Sequence, residues 1–207
     1  MFFRSTPTDD EVRRILLDVS KGPFNYDCVG VTEERLRAAP SGYKLSSYGT
    51  TLGVGDAVFE RACACLSEFG NYPATFTRVV SLSKSIEAGT VFGTLATHFG
   101  FASLHPCRVI RVVRGESPKR FGFALGTLPG HIGAGEEFFL VTLEDRVDGR
   151  DSREGGVVRY EVQAVSRPDG LLGWLGTPFF RMFQRRFEGE TQVAMREGCE
   201  GERSVIG

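Results

Sequence analysis

With 207 residues and a formal charge of −1, the chain is long enough for one filled core and carries no net positive field to steer it onto nucleic acid, so no nucleic-acid partner is expected. Apolar and charged fractions of 41% and 25% sit near the average for globular chains, so disorder is not expected, and 17 phenylalanines with 26 glycines predict an aromatic interior with many turns. The five cysteines, Cys28, Cys63, Cys65, Cys107 and Cys199, are odd in number and lack CxxC spacing, which argues against a disulfide framework or zinc ribbon and for an intracellular, cytoplasmic setting.

The opening MFFRSTPTDDEVRR has no apolar h-region, and no apolar run approaches the ~20 residues of a bilayer span, so neither a secretion signal nor a transmembrane helix is expected. Thr8 and Glu11 form a capping box for a helix whose Val12, Ile15, Leu16 and Val19 recur at helical spacing, ending at Gly22 and Pro23. Residues 24–42 read as irregular apart from a helical turn at 32–39. A first strand is expected at 43–52, then a helix from an Asp56 N-cap to Phe69 with one apolar stripe. Alternation then predicts strands at 75–82, 91–101, 107–114, 120–128, 137–143 and 157–166, with connections short enough for an antiparallel meander. In the last of these, Val158, Tyr160, Val162 and Ala164 point one way and Arg159, Glu161 and Gln163 the other, which predicts one buried and one wet face. The charged run 147–156 reads as a mobile hairpin tip. Thr177 and Pro178 open a final helix in which Phe180, Phe183 and Phe187 align, continuing to about Ala194 across Gly189.

This order gives an α+β class: a curled antiparallel sheet meander gripping a long C-terminal helix, as in the helix-grip fold of the lipid-transfer and pollen-allergen-like superfamily. The expected division is an N-terminal helical extension over 1–23, a single domain over 24–196 and a flexible tail over 197–207.

Chemistry concentrates in RFGFALGTLPGHIGAGEEFFLV, residues 120–141. Gly122, Ala124 and Gly126 share one strand face, as either a surface for a packed helix or the floor of a cavity. His131 is a candidate acid or base, with Glu136 or Glu137 to orient it. Adjacent glutamates in a strand face opposite ways, so only one can join it, and a histidine tying down its loop is the simpler reading. His98, His105 and His131 have no metal-ligand spacing, and no metal or cofactor is expected. Gly53-Val-Gly55-Asp56 opens a helix after a strand but lacks the third glycine of a dinucleotide fingerprint. Arg108, Arg111 and Arg114 put charge on both faces of one strand, so at least one needs a partner such as Glu136 or Glu137. LLGWLGTPFFRMFQRRF, with Trp174, Phe179, Phe180 and nearby arginines, fits either core packing or a membrane surface.

FNYDCVG at 24–30, GVGDAVFERA at 53–62, HPCRVIRVV at 105–113, GFALGTLPGHIGAGEEFFLV at 122–141 and AVSRP at 164–168, followed by GTPFFRMFQRRF, resemble domain-of-unknown-function family nineteen-ninety, over roughly residues 24–190. GTLPGH...GEE is the most specific of these motifs. CLSEFG lacks a tryptophan usual near that point in the family, and FEGETQVAM departs from its usual helical ending. The resemblance implies no established activity or catalytic residues, and it implies an association of some plant members with the plastid outer envelope in a channel-like role.

The reading these features favour is a non-enzymatic domain that binds an apolar or amphipathic small molecule or lipid between sheet and C-terminal helix. Gly122, Ala124, Gly126, Tyr160, Phe180, Phe183 and Arg111 form the expected ligand-binding set. The alternatives are a peripheral membrane or organelle outer-envelope protein, and a hydrolase- or cyclase-type enzyme using His131 with Glu136 or Glu137.

Overall fold

The computed structural model describes residues 1–33, 36–98, 100–144, 155–169 and 177–200. In chain order these form β1 (Phe2–Phe3), α1 (Asp9–Val19), β2 (Lys44–Val54), α2 (Asp56–Ser67), β3 (Thr77–Ser81), β4 (Val91–His98), β5 (Phe101–Glu116), β6 (Lys119–Thr127), β7 (Gly133–Glu144), β8 (Val157–Pro168) and α3 (Thr177–Cys199). The class is α+β: one curled antiparallel sheet, ordered β2–β8–β7–β6–β5–β4–β3, with β1 added to the start of β5 and α3 packed against β2 and β8.

Both faces of the sheet are covered. On the inner face, α2 and α3 pack over Phe92, Phe123, Phe139, Val141, Tyr160 and Val162, with Leu66 and Met195 reaching in from the helices. On the outer face, α1 sets Val12 and Leu16 against Val80, Val91, Leu95 and Leu104, so the expected extension over 1–23 is part of the packed body. The capping box that starts α1 is present: Glu11 N–H donates to Thr8 Oγ1, and Thr8 N–H donates to Glu11 Oε2 at 2.8 Å.

Local differences from the sequence reading have physical causes. The strand expected over 91–101 folds back as a hairpin because Gly100 takes a φ of 83°, so β5 begins at Phe101 and runs unbroken to Glu116. Helix α2 is capped by Gly55, with no side-chain bond, while Asp56 is its first residue and pairs with Lys119. Helix α3 continues through Gly189 to Cys199, since Thr191, Met195 and Cys199 are buried beyond it and offset a glycine cost of about 1 kcal/mol. Positions 147–154 of the expected hairpin tip, and 201–207 of the expected tail, lie outside the described residues.

Candidate functional site

The alternation of β7 decides what each glutamate does. Even-numbered Glu136 points through the outer face and is only 2% exposed. It is met there by Tyr26 Oη at 2.9 Å, Thr32 N–H at 3.1 Å, Thr32 Oγ1 at 2.9 Å and the Gly30 N–H, four donors on one carboxylate. These donors belong to the segment after α1, which lies as a strap across the sheet. The same strap is fastened by Arg111 Nη2 donating to Thr32 O, by Asn25 Nδ2 donating to Asp169 Oδ2 at 2.7 Å, and by Gln163 exchanging two bonds with the Leu36 backbone. Arg108 donates to Ser20 O at 2.7 Å and Gly22 O at 2.9 Å, holding the carbonyl-rich end of α1.

The Gly122, Ala124, Gly126 row faces this strap. In the β6–β7 register these residues oppose Leu140, Phe138 and Glu136, all on the outer face. A Cβ on Gly126 would lie 2.3 Å from Tyr26 Oη and 2.8 Å from the Phe24 ring. The row is therefore neither a cavity floor nor a seat for the C-terminal helix: at Gly126 it lets the strap approach the sheet closely, while at Gly122 a Cβ would meet Phe139 O of the neighbouring β7 at 2.3 Å. Arg111 belongs to the same outer face, its guanidinium 4.4 Å from the centre of the Phe138 ring, because a bulge between Val109 and Arg111 shifts the phase of β5. The outer face of β8 is likewise not uniformly wet, since Gln163 is buried under the strap.

On the inner face, between sheet and α3, lies a cavity of about 220 Å³. Leu125, Glu137 and Ala164 lie side by side in its floor, consecutive across β6, β7 and β8. Tyr72, Phe76 and Phe187 supply aromatic walls, and Thr94, Thr127, Ser166 and Gln184 supply small polar groups. Gln184 Nε2 donates to Ser166 Oγ at 3.2 Å, tying α3 to the end of β8. Gly135 also borders this space, and with φ 152° it passes so near β8 that a Cβ would meet Val165 O at 1.9 Å.

Glu137 is the polar feature of this floor. Burial, and then the like charge of Glu188 on α3, push its carboxyl up to about 8, against a smaller opposing effect of Tyr48. The acid is thus mostly protonated at neutral pH. The Tyr48 hydroxyl is itself buried without a hydrogen-bond partner of ordinary geometry, so its interaction with Glu137 is one of proximity. Burial also pushes up the Cys107 thiol, which borders the cavity as a protonated, unreactive group.

His131 and His105, from separate segments, meet edge to face with ring centres 5.0 Å apart at one end of the cavity. His131 Nδ1 lies 2.9 Å from both the backbone N–H and the carbonyl oxygen of Gly133, which fastens the ring to its own turn. Burial pushes His131 down to about 4, with the Gly133 backbone opposing the shift and the Met1 ammonium adding to it. His105 Nε2 lies 2.9 Å from Ser103 Oγ. Glu136 cannot orient His131, being committed on the other side of the sheet; Glu137 and His131 do border the same cavity.

Of the other ligand-binding candidates, Tyr160 faces inward as expected but is consumed in the core, its hydroxyl 3.0 Å from Thr191 Oγ1. Phe180 and Phe183 lie within α3, with side chains outside the described residues, as is that of Phe179; Trp174 lies outside them altogether. No helix among the described residues is long and apolar enough to cross a membrane. Sequence reasoning missed Glu137 as a cavity group independent of His131, along with Leu125, Ala164 and Tyr72. The signal for the first three was their shared phase with Phe123, Phe139 and Tyr160.

A family model described as Domain of unknown function (DUF1990) matches residues 25–193, a span that runs from the strap to the middle of α3's last turns. The chain belongs to the DUF1990 family. A UPF0548 protein of Dictyostelium discoideum is 27% identical over 197 residues, covering 90% of each chain. A UPF0548 protein of Deinococcus radiodurans is 31% identical over 158 residues, covering 71% of this chain and 74% of its own, and one of Arabidopsis thaliana is 25% identical over 187 residues, covering 84% and 86%. A crystal structure of Ara h 8.0201 superposes with a TM-score of 0.46 at 14% identity, covering 75% of this chain and 99% of that one. In this DUF1990 chain, the GEE of the GTLPGH...GEE motif sends one glutamate to the strap and the next to the cavity.

Proposed function

We propose that this DUF1990 domain binds a small, largely apolar molecule with one polar end, lodged between the inner sheet face and α3. The observation that carries the reading is the cavity itself, apolar in its walls and punctuated by Glu137 and a few hydroxyls. Binding sites of this construction, greasy walls with a few placed polar groups, are the usual form for small-molecule recognition. At about 220 Å³ the space is below the ~300–1,000 Å³ typical of drug-sized ligands. The occupant is therefore compact.

The side chains support binding over turnover. Cys107 is held as a thiol, His131 is fastened to its own turn, and Glu136 is occupied by the strap. Filling the floor with Ala164→Phe tests the reading. Gentle native mass spectrometry of the purified wild type is expected to show a co-purifying small mass that the variant lacks. Retention of the same mass by Ala164→Phe would place the ligand elsewhere and overturn the proposal.

A further inference from the structure

We propose that the cavity selects a compact organic amine, bound as its ammonium ion against an ionised Glu137, over alcohols and carboxylates of the same size. The inference rests on the binding reading above and assigns that site a ligand class. It begins from a charge inventory. The described residues around the cavity include two carboxylates, Glu136 and Glu137, and no lysine or arginine. Glu136 is saturated by four donors on the far side of the sheet, whereas the half-buried Glu137 carboxyl borders the cavity with the Tyr48 hydroxyl beside it and Glu188 as a like charge.

An anionic ligand would meet two nearby carboxylates, Glu137 and Glu188, the second held in place by Ser46 Oγ at 2.7 Å, while the described cations beside the walls are committed, the Met1 ammonium to the Leu104 and Gly130 carbonyls and Arg186 to Glu190. A neutral alcohol could be met by the hydroxyls of Thr94 and Ser166, since Thr127 Oγ1 already donates to Asn25 Oδ1 and accepts the Gly135 N–H, and it would leave the Glu137 carboxyl without a counter-charge. An ammonium ion supplies what the site lacks. It pairs with Glu137 and places its polarised carbons against Tyr72 and Phe187, the ring chemistry suited to organic cations, while Arg186 already covers the Phe76 ring at 4.1 Å.

Proton bookkeeping gives the inference a signature. Facing or neighbouring Glu137 are Tyr48 from β2, Cys107 from β5, Tyr160 from β8, Tyr72 from the connection after α2, and Glu188 from α3. Burial pushes the three phenols and the thiol upward, so they stay neutral through the physiological range, and His131 titrates near 4. His105, hydrogen-bonded to Ser103, stands at the histidine end of the cavity. At pH 7 the free acid and the free ammonium together hold one proton more than the ion pair, so amine binding releases a proton and tightens with pH until Glu137 is ionised unaided, near pH 8.

The test is an NMR titration of the full chain with n-hexylamine, 1-hexanol and hexanoate at pH 6, 7 and 8, on wild type and Glu137→Gln. Hexylamine is expected to bind most tightly at pH 8, with its affinity rising close to tenfold from pH 6 to pH 7. Glu137→Gln should weaken hexylamine at pH 8 by tenfold or more and leave 1-hexanol within twofold. The wild-type pH series reads the same point without any substitution. A pH-independent hexylamine affinity, or tighter binding of hexanol or hexanoate at pH 8, overturns the amine assignment while leaving small-molecule binding intact. Failure of all three to bind overturns both.

Discussion

Glu136 and Glu137 are neighbours in sequence and opposites in circumstance. The first is a buried carboxylate with a donor on every side, and its work is to hold the strap of residues after α1 against the outer face. The second is a half-buried carboxyl with no such cradle, pushed up to about 8 and bordering open space. Burial costs an acid its charge unless partners restore it. The pair therefore separates two uses of one residue type: where donors were built, the acid is architecture; where they were not, it is available to something that comes from outside.

Breaking the outer side should give the largest effect. Glu136→Leu strands four donors at once, three of them buried, and is expected to destabilise the fold by about 3–5 kcal/mol, measured by urea denaturation. Wild-type stability would show that the strap is held by other contacts.

The inner side should respond with the opposite sign. Because the folded protein keeps the Glu137 proton from the usual 4.5 up to about 8 while the unfolded chain releases it, stability falls as pH rises through that window and is level above it. Glu137→Gln removes this loss, with no gain at pH 4.5 and a gain on the order of 3 kcal/mol at pH 8, after allowing for a half-buried amide in the same place. Between pH 7 and 8, above the range in which His131 contributes, the variant should gain about 1 kcal/mol on wild type. Parallel stability curves for the two proteins would mean that Glu137 is ionised and compensated in the free fold.

Gly126→Val sharpens the comparison from the strap's side. Its branched carbon would displace Tyr26 and Phe24, for an expected loss of about 1–3 kcal/mol with cavity binding unchanged. A loss of ligand without a loss of stability would return this row to the binding site. Lys119→Ala provides the baseline. Its ion pair with Asp56 is solvent-exposed, and a thermal melt should register less than about 1 kcal/mol.

The architecture was legible where a local rule is strict. Thr8 and Glu11 announced α1, the alternation of 157–166 announced β8, and Thr177 with Pro178 announced α3. The faces of the sheet were harder to assign, for a physical reason. Alternation shows which residues share a face only when one face is wet, and β6 from Phe121 to Thr127 is buried on both. Small residues at 122, 124 and 126 then read as either a seat for a packed helix or a cavity floor, although at 126 it is the strap on the other face that presses in. The hairpin at Gly100 was hidden within a continuous run of strand-forming residues. The meeting of His105 with His131 depends on the sheet register and the Leu128–His131 turn together, which no spacing rule expresses. That the two glutamates diverge was visible in the sequence; which one meets the cavity was not, because that depends on which face the last helix covers.

The alternation of β7 also bears on how such a domain can change. Odd positions such as Glu137 face the inner side, where the proposed ligand would lie, and even positions such as Glu136 face the strap, so the two sets can drift separately. A lineage could exchange its ligand by rewriting every second letter of one strand while the interleaved letters keep the scaffold intact, making this strand a natural place for laboratory recombination to seek new specificities.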